Sequence, residues 1–129
     1  MNVSFPMMLI TDDDLGFRET LQGVFEPQGF RTYLAGDGQE ALDIVQSRTV
    51  HLLLLDMHMP KLTGLETLRR VKRFDARLPC ILLSADADEM LIEQAQMAQA
   101  FSVLAKPVSR STITEVVQRA MRAAYGWPS

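Results

Sequence analysis

Short apolar runs alternate with stretches of helical period along this chain. The runs are MMLIT (7–11), TYLA (32–35), LLLL (52–55), CILLS (80–84) and SVLA (102–105). Each is too short for a helix and is continuous rather than alternating, the pattern of a strand covered on both faces. Between the runs, Phe17, Leu21, Val24 and Phe25 fall on one helical face. Smaller stripes follow at Ala41, Leu42 and Val45, at Leu65, Leu68 and Val71, and at Leu91, Ala95 and Ala98. The clearest stripe is the last: Ile113, Val116, Val117, Ala120, Met121 and Ala124. Gly36, Gly38, Pro60 and Gly64 punctuate the gaps. Asp86 with Glu89 predicts a capping box opening the fourth helix. Ser109 or Ser111 is predicted to cap the fifth, which should run to about Ala124. Five strands alternating with five helices predict an α/β fold, a five-stranded parallel sheet wound on both faces with right-handed crossovers.

Composition narrows the picture. A chain of 129 residues, 47% apolar, is expected to form a single domain, 1–129, with a full core. A net charge of −3 argues against a general nucleic-acid or membrane-surface binder. Cys80 is the sole cysteine, so no intrachain disulfide exists, which fits a reducing, cytoplasmic setting. No apolar run approaches the ~18 residues of a membrane span. The opening stretch, MNVSFPMMLITDDD, lacks a basic residue and breaks at three aspartates, so no signal peptide is expected. His51 and His58 have no cysteine or histidine at metal spacing, which rejects a zinc site, and His58 is expected at the rim. Met57 and Met59 read as packing residues.

In such a sheet, ligands bind beyond the carboxyl ends of the strands. The first strand ends in Asp12, Asp13 and Asp14, the third in Asp56, the fourth in Ser84, and the fifth in Lys106 followed by Pro107. Only the second, ending AGDG, offers little, as an edge strand would. Clustered carboxylates raise one another's pKa, a cost that a hard divalent cation removes. Mg²⁺ takes carboxylate, water and phosphate oxygens. An ammonium and a hydroxyl beside it suit a phosphoryl group. A carboxylate can itself be the nucleophile, forming an acyl phosphate. Asp56 ends the most apolar strand and is the candidate acceptor.

These residues carry a resemblance. With LITDDD, LLLLDMHMPKLTG, ILLSA and LAKP in that order, nearly the whole chain resembles the receiver domain of two-component response regulators. The resemblance implies a flavodoxin-like (βα)5 fold with strand order 2-1-3-4-5, an order of which receivers are themselves a standing example. It implies that Asp56 takes phosphate from a histidine kinase or histidine phosphotransfer protein. Asp12, Asp13, Asp56 and the backbone carbonyl of His58 would hold Mg²⁺. Ser84 and Lys106 would bind phosphoryl oxygens, Ala85 would leave room, and the bond before Pro107 would be cis. The domain would be a signalling phosphoacceptor, catalysing at most its own phosphorylation and dephosphorylation. Any homodimer would form through the face of the fourth helix, fifth strand and fifth helix, and the downstream effector or output domain is not named by the sequence.

Two other readings stand beside it. Asp12 and Asp14 also fit a haloacid-dehalogenase-like phosphatase, which would be phosphorylated at Asp12 and would leave Asp56 unexplained. A pseudo-receiver would bind partners and never turn over phosphate. Asp14 on its own reads as a cap of the first helix. The chain also departs from the receiver pattern: Val103 stands where a switching aromatic is usual, and no glycine precedes the fifth strand. Val103 is short and stiff at χ1, so Phe101 is the predicted ring able to respond, with a muted switch.

Overall fold

The leucine run at 52–55 is buried on both sides because the sheet lies between two helical layers. A computed structural model describes residues 3–128. The strands are β1 (Met7–Thr11), β2 (Arg31–Ala35), β3 (Leu52–Asp56), β4 (Cys80–Ser84) and β5 (Ser102–Ala105). The helices are α1 (Leu15–Phe25), α2 (Gly38–Ser47), α3 (Gly64–Phe74), α4 (Glu89–Met97) and α5 (Arg110–Tyr125). All strand pairs are parallel, in the order β2-β1-β3-β4-β5. This is the flavodoxin-like arrangement, with β2 at one edge and the carboxyl ends of β1 and β3 at the centre.

Strand alternation sorts the apolar residues into two cores. Leu9, Leu53, Leu55, Cys80 and Leu82 face α2, α3 and α4, where Ala41, Val45, Leu65, Leu68, Val71, Leu91 and Ala95 meet them. Met8, Ile10, Leu52, Leu54, Ile81 and Leu83 face α1 and α5 and meet Leu21, Phe25, Ile113, Val116, Val117, Ala120 and Met121. Each fully buried leucine contributes about 1.5–3 kcal/mol, so neither face of β3 could carry a polar residue cheaply until its last position.

Local signals explain the ends of the elements, with some corrections. The predicted Asp86–Glu89 capping box does not form. Asp88 is the N-cap of α4, and its carboxylate accepts the Leu91 N–H at 2.8 Å. Glu89 is then the first helical residue, too early in the helix to reach back. A complete capping box instead opens α3, where Thr63 and Glu66 satisfy each other's backbone N–H. Ser109 caps α5. That helix runs one residue past Ala124, which lies exposed rather than on the buried stripe. Gly126, at φ 65, closes it in the left-handed conformation that glycine adopts without penalty. Ala98 caps α4 and is only partly buried.

Two sets of contacts fix the two ends of β3. A side chain on Gly64 would meet the Asp56 carbonyl, Leu82 Cδ1 at 2.7 Å and Met57 Cα at 2.8 Å. Glycine therefore lets the start of α3 lie directly against the backbone behind Asp56, and the Gly64 N–H donates to the Met57 carbonyl at 2.9 Å. At the opposite end of the sheet, His51 Nδ1 accepts the Met7 N–H at 2.9 Å, and the Tyr125 hydroxyl donates to the His51 carbonyl at 2.7 Å. An accepting Nδ1 requires the neutral ring protonated at Nε2.

Candidate functional site

Four strand ends converge on one polar cluster at the carboxyl edge. Asp12 and Asp56 are 2% and 4% exposed, so both carboxylates are held largely out of water. Asp13 beside them is exposed. The three residues each offer a carboxylate oxygen, all within 4.8 Å of one another. Backbone geometry fixes this spacing. The Asp12 N–H is committed to the Ala35 carbonyl at 3.1 Å, and Arg18 Nη1 donates to the Asp12 carbonyl at 2.6 Å. Asp14 is occupied elsewhere. Its Oδ1 caps α1 by accepting the Phe17 N–H at 3.2 Å.

Lys106 supplies the balancing charge. Its Nζ lies 2.6 Å from Asp12 Oδ2 and 3.0 Å from Asp56 Oδ1. The Lys106 N–H donates to the Ser84 carbonyl at 2.9 Å, so the β4–β5 ladder carries the lysine to the cluster. The Lys106–Pro107 peptide is cis. Burial works against the lysine's charge, yet its bonds to Asp12 and Asp56 outweigh that effect and hold its pKa above the usual value. Asp56 moves the same way for the opposite reason. Burial, helped by the charges of Asp12 and Asp13, raises its carboxyl pKa against the pull of Lys106.

Ser84 is fully buried at the end of β4, and its hydroxyl accepts the Asp86 N–H at 3.1 Å. Ala85 follows in an exposed turn. His58 is exposed two residues beyond Asp56, at the rim, with Nε2 3.6 Å from Asp86 Oδ2. Exposed partners in water make that pair a minor contributor.

A family model for the response regulator receiver domain matches residues 8–118. The chain belongs to this family. The receiver is 35% identical over 112 residues to sporulation initiation phosphotransferase F of Bacillus subtilis, covering 87% of this chain and 90% of that protein. It spans only 25% of a longer curated relative, the regulatory protein AtoC of Escherichia coli, at 31% identity over 89% of this chain. Among solved structures, a CheY-like receiver domain protein from Methanospirillum hungatei superposes with a TM-score of 0.91 over 95% of this chain and 98% of that one. At 21% identity it speaks for the fold alone. A chain of the CheX-CheY-BeF3-Mg²⁺ complex from Borrelia burgdorferi is 27% identical, with a TM-score of 0.86, over 90% of this chain and 89% of that one.

The receiver is thus a phosphoacceptor signalling domain of two-component systems, and the strand order read from the resemblance is the one found. Asp12, Asp13, Asp56, Ser84 and Lys106 lie together at the carboxyl edge. Val103 is partly buried against the α4-side core. Phe101 is placed elsewhere. β5 begins only at Ser102, opposite Ile81, so Phe101 sits before the strand, about 16 Å along the chain from Lys106. It is not a ring near the site. The nearby ring is Phe17, whose centroid lies 4.3 Å from Lys106 Nζ. In the sequence it is one member of an apolar helical stripe, and nothing there distinguishes it from a core residue.

Proposed function

We propose that Asp56 is the phosphoacceptor of this receiver, with a histidine kinase or histidine phosphotransfer protein as donor. The observation that carries the reading is the Lys106 ammonium bridging Asp12 and Asp56 at the centre of the sheet's carboxyl edge. In the reaction, an Asp56 carboxylate oxygen attacks phosphorus as the bond to the donor atom breaks. The donor leaves with that electron pair, and a departing imidazole takes up a proton from solvent. Lys106 turns from the carboxylate to a phosphoryl oxygen, and Ser84 Oγ donates to another. The exposed turn at Ala85 leaves room beside them.

The donor set fits Mg²⁺. Three hard carboxylate oxygens cluster at two largely buried residues and one exposed one, and an ammonium is needed to offset them. Asp12, Asp13, Asp56 and the His58 carbonyl would hold the ion, which when bound would neutralise charge on the phosphoryl oxygens. The solved relative that contains BeF3 and Mg²⁺ supports this assignment. The phosphatase reading loses its second aspartate, because the Asp14 carboxylate is spent on the cap of α1. We further place the domain in the cytoplasm as one receiver unit over 1–129, with any homodimer on the α4-β5-α5 face. Longer relatives support a connection to an output domain.

The test is incubation with acetyl phosphate and Mg²⁺, read by intact mass. One phosphoryl group should be gained by wild type and none by Asp56→Asn. Undiminished labelling of the variant would sink the assignment, and an unlabelled wild type would favour a pseudo-receiver.

A further inference from the structure

Lys106 has three N–H bonds, and the structure gives two of them carboxylate acceptors. The third side of the ammonium meets no oxygen acceptor among the described residues. It faces the Phe17 ring, with Nζ 4.3 Å from the centroid. An aromatic face carries partial negative charge and attracts a cation at this range, more strongly where water is excluded. The Lys106 side chain is 23% exposed, so most of its surface is covered by protein.

Phe17 also packs on the apolar core beneath α1 and α5. Packing alone would be served by leucine. The ring face is the feature that leucine lacks.

The chemistry makes that face more important in the reaction than at rest. At rest the ammonium is anchored by two carboxylates, so the ring is a redundant third contact. When Asp56 becomes an acyl phosphate, Oδ1 is no longer a full anionic acceptor, and the ammonium must turn to a phosphoryl oxygen at the end of a flexible four-carbon stem. The Asp12 carboxylate and the ring are the two contacts that this exchange does not consume, and the ring is the one that does not itself compete for the ammonium's N–H bonds with the phosphoryl oxygens. A contact that grows in importance toward the transition state accelerates the step, whereas one equal in both states does not.

We propose that Phe17 is a positioning residue for phosphoryl transfer, its ring face holding the Lys106 ammonium in place while the lysine exchanges carboxylate for phosphoryl partners. This rests on the reading of Asp56 as acceptor.

The experiment compares wild type, Phe17→Leu and Phe17→Tyr. The first readout needs no phosphoryl group: the proton shifts of the Lys106 ε-methylene in the metal-free protein. A ring face beside them moves these signals upfield, so the shift should persist in Phe17→Tyr and vanish in Phe17→Leu. The second is the rate of labelling by acetyl phosphate with Mg²⁺. It should fall between about twofold and thirtyfold in Phe17→Leu, the span a cation–π contact is worth, and stay near wild type in Phe17→Tyr. Thermal melting checks that each variant folds. Equal rates in wild type and Phe17→Leu, or an equal loss in both variants, would overturn the role of the ring. So would unshifted Lys106 signals in wild type. If wild type itself takes up no phosphoryl group, the assignment of Asp56 fails instead, and the methylene shifts still test the contact.

Discussion

Replacing Lys106 by methionine removes the positive charge from between two largely buried carboxylates and keeps most of the stem's volume. Two charge-assisted hydrogen bonds are lost, at 2.6 and 3.0 Å. Such bonds are each worth about 1.5–3 kcal/mol net. Part of that is returned, because the ammonium no longer has to be desolvated. A loss of about 2–4 kcal/mol in the metal-free protein at pH 7 follows, a drop in melting temperature of roughly 10 °C for a domain of this size. Sign and pH window follow from the two raised pKa values. Lysine's raised pKa means that its contribution is fully present below its unfolded value, about 10.4, and is lost as pH rises through the higher folded-state value. Asp56's raised pKa means that its ionisation destabilises the fold as pH rises through the folded-state value. The penalty of Lys106→Met should therefore shrink as pH falls through the raised folded-state value of Asp56, where protonation removes one of the two negative charges facing the ammonium. Mg²⁺ should then stabilise the variant more than wild type, since no ammonium competes for Asp12 Oδ2. Urea unfolding across pH, in chelator and in saturating Mg²⁺, measures all of this. A variant as stable as wild type in chelator, or equal stabilisation of both by Mg²⁺, would refute the view of Lys106 as a built-in counter-ion.

Gly64→Ala should destabilise the fold by about 1–3 kcal/mol, the cost of forcing a methyl group into a packed site, and should also slow labelling by acetyl phosphate, because the displaced backbone is that of Asp56. Denaturant unfolding and mass labelling of the same sample check both, and a stable variant that labels normally would contradict the close approach. His51 titrates below its ordinary value because it is buried. Its contribution to stability is therefore present above about pH 6.5 and lost as pH falls through the lower folded-state pKa. Protonation costs the Met7 N–H its acceptor, so the slope of stability against pH in this range, measured by urea unfolding, should flatten in His51→Phe.

The strands were legible because burial on both faces demands unbroken apolar runs, and LLLL or CILLS fit little else. The site was legible for a related reason. A carboxylate at the end of such a run, as at Asp56, cannot belong to the core and must belong to the edge. The ends of helices were less so. Asp86 and Asp88 are both acidic, both precede the same apolar stripe, and only the backbone conformation selects Asp88 as the cap. Phe101 and Phe17 show the other limit. Each is an aromatic beside an apolar segment, and their distances from Lys106 depend on where β5 starts and how α1 is rotated, which residue spacing leaves open. The sequence places Lys106 and Asp12 on one sheet edge although 94 positions separate them, but which carboxylates the ammonium would touch depends on side-chain geometry that spacing leaves open.

The seat of α3 on Gly64 makes the site mechanically lopsided. On one side Asp56 is backed by a helix start with no space between, and Asp12 is tethered through its carbonyl to Arg18. That flank is an anvil. On the other side the chain turns through exposed residues from Ala85, and the Ser84 hydroxyl is held by one backbone N–H. On the proposal that Asp56 is the acceptor, a bulky anion fastened there would not push the anvil back. Displacement would run toward the soft flank, into the β4–α4 turn, and the direction of the outgoing signal would be set by a residue that has no side chain at all.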